Sequence, residues 1–346
     1  MDRIIPILCA AAAGLAACTK SLPNIVDASE DARGTLVAEG PGGQWLRWPC
    51  QLTIHEVSNG TSTTRLAVLL EQDAESSIRG TYRGLSGAPI LGSNGEYLGV
   101  NSGQFWGSYG LPVFGIATDR EAAVALTQGR RLGTRLSNAP PIEPRGETLR
   151  DGASIAAMGV WGAIRIGVTG HLYRRFGNEA LLFGHTIEPN ASGPCMYALV
   201  RVPVLGVVPY LGQYEKVGSL GPVVGAVTYQ GDRSCYAVLG VAPPTAAIRI
   251  AFQRGKIAER PLEFTVVKCP RKAHEWLSSI VDATLHYFDL YDGVLKDSPV
   301  RIRVHAPEGD LVEEGGAPLR EKLLRTLENH VLRQDWTTCN LTVEMR

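Results

Sequence analysis

A serine framed by two glycines, Gly84-Leu85-Ser86-Gly87-Ala88-Pro89, is the stretch of this chain best suited to covalent chemistry. Glycine opens backbone conformations closed to other residues, so the segment reads as a tight loop ahead of the strand begun by Ile90-Leu91. Such a loop can present the Ser86 hydroxyl as a nucleophile. If it curls so that the N–H groups of Gly84 and Ser86 converge, the same residues supply an oxyanion hole. The plainer reading is a glycine turn before a hairpin, and a motif this short needs structural context to decide. A base is offered by Ala180-Leu181-Leu182-Phe183-Gly184-His185-Thr186, where an apolar strand closing on Gly-His-Thr sets an imidazole at a strand end, fixed yet accessible. His55 and His171 are rival bases, the first expected on the exposed side of an alternating strand and the second in a loop after Thr169-Gly170. His274, His286, His305 and His330 are expected at the surface or on helix faces. No Cys-x-x-Cys or His-x-x-x-His spacing occurs, so neither a metal nor a cofactor is expected.

The elements that must position these residues are mostly strands. Cys50 to His55 alternates, Thr64 to Leu70 is largely apolar, and Asn94-Gly95 between two apolar runs is a strong hairpin signal, because both turn residues tolerate positive φ. The Ser86 loop therefore opens into a β-hairpin. A strand near Leu111 to Ile116 and a short helix over Arg120 to Gln128 follow. Residues Arg130 to Gly152, with Pro140-Pro141 and Pro144, read as a linker. A second strand-rich stretch runs from Ser154 through Gly162 to Gly170, turns at Phe176-Gly177-Asn178, carries His185, and continues through Met196 to Leu211 and Gly221 to Thr228. From Pro261 the pattern changes to strand, helix, strand, helix, strand. Trp276, Leu277, Ile280, Val281 and Leu285 recur at helical spacing, and so do Leu319, Leu323, Leu327 and Val331, which makes a small α+β module.

With 346 residues, 45% of them hydrophobic and 20% charged, the chain can build more than one packed core. Lys plus Arg and Asp plus Glu are equal at 34 each, so no nucleic-acid partner is indicated. The 39 glycines and 21 prolines favour a turn-rich, mainly β chain. At the start, Arg3 precedes an apolar run that ends in Leu15-Ala16-Ala17-Cys18, too short to span a bilayer and shaped like a secretory signal. Leu-Ala-Ala-Cys resembles a bacterial lipobox, which implies cleavage before Cys18 and a lipid on that cysteine, hence residence in the cell envelope on a membrane surface. Residues 19–44 then form a tether. In an oxidising compartment, Cys195 with Cys235 and Cys269 with Cys339 are the expected disulfides. The organisation expected is a signal at 1–18, a tether at 19–44, a β unit at 45–129, a linker at 130–153, a second β unit at 154–260 and the α+β module at 261–346.

Three stretches resemble the SpoIVB-type serine peptidases, relatives of the chymotrypsin-like fold. Gly84-Leu85-Ser86-Gly87-Ala88-Pro89-Ile90 is similar to that family's Gly-Met-Ser-Gly-Ser-Pro-Ile, Leu182-Phe183-Gly184-His185 to its Gly-His element, and Ser219 to Gly225 to a segment of its membrane-export relatives. The resemblance implies a chymotrypsin-like double β-barrel and an endopeptidase acting on a protein or peptide substrate. It gives Ser86 as nucleophile, His185 as general base and the N–H groups of Gly84 and Ser86 as oxyanion donors. An acid that orients the imidazole falls by spacing on Glu71, with Asp73 and Glu188 as competitors. Here the serine precedes the histidine, an order associated with permuted relatives, and triad geometry is indifferent to chain order. Leu85 replaces the acidic neighbour that trypsin-type enzymes hold beside their nucleophile, so activation by a buried new N-terminus is not expected. An inactive relative that binds a partner without cutting it is the alternative, as is a structural envelope lipoprotein.

Overall fold

The computed structural model describes residues 32–53, 65–69, 84–106, 112–117, 119–133, 141–142, 149–188, 191–210, 213–231, 234–255, 257–269, 271–288, 300–306, 309–313, 318–333 and 337–345. The signal region with Cys18, the rival base His55 and the acids Glu71 and Asp73 lie outside them. The chain is mainly β and divides into two compact bodies. One holds the stretches up to Ala157 and from Val168 to Ala242, the other Met158–Gly167 and Pro243–Arg346.

In the first body, β1 (Ala32–Glu39), β2 (Trp45–Thr53), β3 (Arg65–Leu69), β4 (Pro89–Leu91), β5 (Tyr97–Trp106) and β6 (Pro112–Ala117) close a barrel in the order β1-β2-β3-β6-β5-β4. Strand β2 shows why it pairs as it does. Leu46, Trp48, Cys50 and Leu52 point inward and are buried, while Arg47 and Pro49 between them are exposed. These four pack with Leu36, Ala38, Leu85, Ala88 and Ile90 in one core. Strand β1 falls in the segment read from sequence as a tether. The polar and Gly-Pro residues around it masked an eight-residue strand whose Leu36, Val37 and Ala38 are buried. The β4–β5 hairpin forms as expected, with Gly95 at φ 78°. The helix α1 (Asp119–Gly133) runs longer than its sequence signal, into the expected linker.

Eight further strands complete this body: β7 (Ser154–Gly162, through Ala157), β8 (Ile166–Phe176, from Val168), β9 (Glu179–Leu182), β10 (Gly193–Arg201), β11 (Val204–Tyr210), β12 (Gln213–Gly218), β13 (Val223–Gln230) and β14 (Cys235–Leu239). Six of them pair in the order β10-β13-β14-β9-β8-β7, and β10 pairs with β7 as well. Strands β11 and β12 form a separate hairpin. The expected turn at Phe176-Gly177-Asn178 joins β8 to β9, with Gly177 at φ 59°.

The second body is built on β15 (Thr245–Arg254), which pairs with the two-residue β16 (Ile257–Ala258) and antiparallel to β17 (Leu262–Val267). It carries α2 (Ala273–Tyr287), β18 (Val300–Ala306), β19 (Gly309–Glu313), α3 (Leu319–Leu327) and β20 (Thr338–Met345), the last running parallel to β15. The expected α+β module is present, but it begins at Pro243 rather than 261. Ile248, Ile250 and Phe252 are buried while Ala247 and Arg249 are exposed, an alternation that reads the same whichever sheet takes the strand. Trp276, Leu277, Ile280, Val281 and Leu285 of α2 are buried, as their spacing required. Cys50, Cys195, Cys235, Cys269 and Cys339 are all buried free thiols, so neither expected disulfide forms.

Candidate active site

The serine loop is fastened on both sides of its serine. Leu85 and Ala88 plug into the barrel core, 2% and 0% exposed, which leaves Ser86 between them part-exposed. Gly84 and Gly87 take φ of 94° and 85°, conformations that L side chains rarely adopt. Buried Asn101 on β5 clamps the turn. Its carbonyl accepts from Gly87 N–H at 2.7 Å, its N–H donates to the Ala88 carbonyl at 2.9 Å, and its side-chain amide donates to the Leu85 carbonyl at 3.1 Å. Among the described residues, neither the Gly84 nor the Ser86 N–H has an acceptor, the condition an oxyanion hole requires.

The histidine corner is held in another way. Phe183 has φ 68°, the one positive value outside glycine among the described residues, and Gly184 follows at 71°. Two consecutive left-handed residues swing the chain sharply after β9, and full burial of Phe183 holds the conformation. His185 then turns its Nδ1 to the Thr186 carbonyl at 2.6 Å, while its own carbonyl accepts from Cys235 Sγ at 3.3 Å. Burial lowers the His185 pKa below the usual histidine value and outweighs the carbonyl, which favours the charged form.

Loop and corner meet backbone to backbone. A Cβ on Gly87 would stand on the His171 carbonyl oxygen and 2.6 Å from Phe183 N, and a Cβ on Gly184 would stand on the Asn101 carbonyl oxygen and 3.0 Å from Ser102 Cα. The two motifs singled out in sequence are thus adjacent. No hydrogen bond joins Ser86 to His185 among the described residues. The Glu188 carboxylate accepts from Tyr197 OH at 2.5 Å, and the Glu188 N–H donates to Gln230 Oε1, so this competitor for the acid is engaged away from the imidazole.

His171 departs from its expected loop. It lies inside β8, 0% exposed, and donates its N–H to the Ser86 carbonyl at 2.7 Å. Its ring nitrogens make no hydrogen bond of good geometry, although the carbonyls of Glu39, Ser86 and Gly84 face the ring. Burial, reinforced by nearby Lys216, holds its pKa well below the ordinary value and keeps the ring neutral.

Sequence reasoning missed a charged group next to the loop. Glu39 pairs with Arg201 at 2.5 Å and accepts from the Ser154 N–H at 3.0 Å. Lys216 on β12 donates to Ser154 Oγ at 2.9 Å and to the Gly170 carbonyl at 3.1 Å. These residues are scattered from 39 to 216, and each sits in an ordinary strand. Lys216, next to Glu215 in the polar strand β12, carried no local signal that set it apart.

No family model matches the chain, and no curated protein matches it.

Proposed function

We propose that this chain is a serine endopeptidase of the SpoIVB type, with Ser86 as nucleophile and His185 as base. The observation that carries this reading is the contact of Gly87 with Phe183 and of Gly184 with Asn101, which seats the serine loop against the histidine corner. The closed first barrel, and the second ring of pairings that returns from β10 to β7, support the chymotrypsin-like double barrel. In the reaction Ser86 Oγ attacks the scissile carbonyl while His185 Nε2 takes its proton. The Thr186 carbonyl holds the proton on Nδ1, which leaves the Nε2 lone pair free to act. The Gly84 and Ser86 N–H groups receive the oxyanion, the C–N bond breaks as His185 protonates the amine, and water releases the acyl group from Ser86. Glu71 remains the proposed orienting acid, and the lipobox-like Leu15-Ala16-Ala17-Cys18 supports an enzyme anchored on an envelope membrane and facing protein or peptide substrates.

A fluorophosphonate probe tests this directly. Wild-type protein should be labelled and S86A should not, and peptide hydrolysis should follow the label. Undiminished hydrolysis by S86A would refute the mechanism. The carbonyl in place of a carboxylate at His185 Nδ1, with Glu188 engaged elsewhere, favours one second reading, a pseudopeptidase that binds peptides without turnover, because a missing orienting acid costs about 10⁴-fold in rate. Peptide binding without labelling would select it.

A further inference from the structure

The first body holds three charged groups close together beside the serine loop, Glu39, Arg201 and Lys216. Glu39, at the end of β1, has both oxygens in use, one on Arg201 of β10 and one on the Ser154 N–H of β7. Arg201 spends a second donor on the Ser154 carbonyl at 2.8 Å. Lys216 of β12 is left with two neutral acceptors, Ser154 Oγ and the Gly170 carbonyl. Glu39 thus takes Arg201 as its hydrogen-bonded ion pair, while the hydrogen bonds that the Lys216 ammonium makes among the described residues all go to neutral acceptors. A half-buried ammonium bonded to neutral acceptors, with its nearest carboxylate already paired to Arg201, is stabilised when an anion arrives to meet it.

The loop is where that anion would form. Lys216 Cε lies 3.1 Å, and its Cβ 3.5 Å, from where a Gly84 side chain would begin, so the lysine stem occupies the space glycine leaves open. On the loop's other side, the His171 N–H holds the Ser86 carbonyl, and His171 follows the residue whose carbonyl Lys216 grips. Lys216 thus braces both Gly84 and the strand that fixes Ser86. The neutral His171 ring, the only other titratable group at this point of β8, adds no charge.

We propose that Lys216 is a positioning residue for acyl transfer at Ser86. Its ammonium braces the loop and supplies the positive potential that stabilises the oxyanion held by the Gly84 and Ser86 N–H groups. The inference rests on the acyl-transfer reading of Ser86. In a low-dielectric surround, a fixed cation beside the donors stabilises charge that develops only in the transition state. Enclosure lowers the Lys216 pKa to about 7, with Glu39 opposing and Arg201 adding to the shift. The potential is present below that pH and lost above it. The rate should therefore rise with pH as His185 gives up its proton, then fall as Lys216 gives up its own, a narrow bell.

The experiment is the rate of fluorophosphonate labelling at Ser86 from about pH 5 to about pH 9 in wild type, K216M and K216R, with melting curves to confirm folding. K216M is expected to label on the order of 10²-fold more slowly at the wild-type optimum, the size of a lost oxyanion contribution. K216R keeps its charge at every accessible pH, so the alkaline fall should vanish while labelling persists. A folded K216M that labels within about threefold of wild type would overturn the proposal, since that is far from the loss of an oxyanion contribution. So would an alkaline fall unchanged in K216R, which decides the matter alone if K216M does not fold. A wild-type protein that never labels would overturn the serine reading itself, a result distinct from labelling that ignores residue 216.

Discussion

The serine loop and the histidine corner are both turns built on left-handed residues, yet their side chains hold them differently. The loop is pinned by polar contacts and by neighbours on either side of the serine. Asn101 binds it through three hydrogen bonds, and Leu85 and Ala88 anchor it in the barrel core. The corner has backbone ties, Phe183 N–H to the His171 carbonyl at 3.1 Å and Gly184 N–H to the Leu182 carbonyl at 2.9 Å, but no side-chain amide clamps it as Asn101 clamps the loop. Phe183 keeps a positive φ because the ring is wholly buried, and His185 has one carbonyl for its ring. Hydrogen bonds have directions and burial does not. The loop is therefore built to fix the direction of the Ser86 N–H, and the corner to lower the pKa of an imidazole. An oxyanion donor would need the first, and the second keeps an imidazole unprotonated near neutrality.

The contrast breaks most severely where the two turns touch. In G87A the new methyl would meet the His171 carbonyl and the Phe183 backbone at a φ of 85°, and none of these atoms belongs to a flexible side chain. Strain and backbone clash together should cost more than about 4 kcal/mol, read as a large fall in melting temperature with loss of Ser86 labelling. G95A is the control. Its φ is 78° but nothing lies within 4 Å of the new methyl, so it should lose only about 1 kcal/mol and keep its labelling. Equal losses in the two variants would mean that the contact between loop and corner does not form.

Much of this arrangement was legible in the chain. Gly87 and Gly184 were conspicuous as glycines, and the hairpin at Asn94-Gly95 follows from local turn chemistry alone. The alternation from Cys50 onward announced a half-buried strand, and Cys50 and Leu52 are buried in it together with Leu46 and Trp48. What could not be read was anything fixed by long-range partnership. Strand β1 was hidden because a short apolar run between Gly and Pro residues becomes a strand only when β2 and β4 pair with it. His171 and Lys216 were invisible as a pair because only the pairing of distant strands brings positions 171 and 216 to the same loop. Asn101 gave no sign, since a polar residue in a strand reads as outward-facing until a turn needs its amide.

A milder variant separates the two turns. N101L keeps the volume and removes the amide, so the Leu85 carbonyl is left without its side-chain donor while the backbone bonds of residue 101 remain. The expected cost is about 1–3 kcal/mol of stability. The loop should suffer more than the corner. Labelling at Ser86 should fall while the pH at which labelling first rises, set by His185, stays where it was. A shift in that acid limb would show that the two turns are not held independently.

The most gradual effect is a matter of protons, and it tests the state of Lys216 beside the loop. Lys216 has its pKa lowered to about 7 from an ordinary value of 10.5, so between those values the unfolded chain holds a proton the folded one lacks. Stability must then rise with pH from about 7 upward, by at most about 1.4 kcal/mol per pH unit for a single proton. Cys50 and Cys339 act in the opposite sense. Burial raises their thiols to about 11 and about 12 from 9.0, so above about pH 9 the unfolded chain sheds protons that the fold retains. Stability should therefore climb from pH 7 and turn over near pH 9. On the acid side His171 and His185, both held neutral by burial, withdraw stability as pH falls through the ordinary histidine value of 6.5. In denaturant titrations across this range, K216M should lose the climb above pH 7 and keep the acid fall, because burial, the larger cause at both histidines, remains when the Lys216 charge is gone. A climb that persists in K216M would assign it to another group and leave Lys216 an ordinary charged amine.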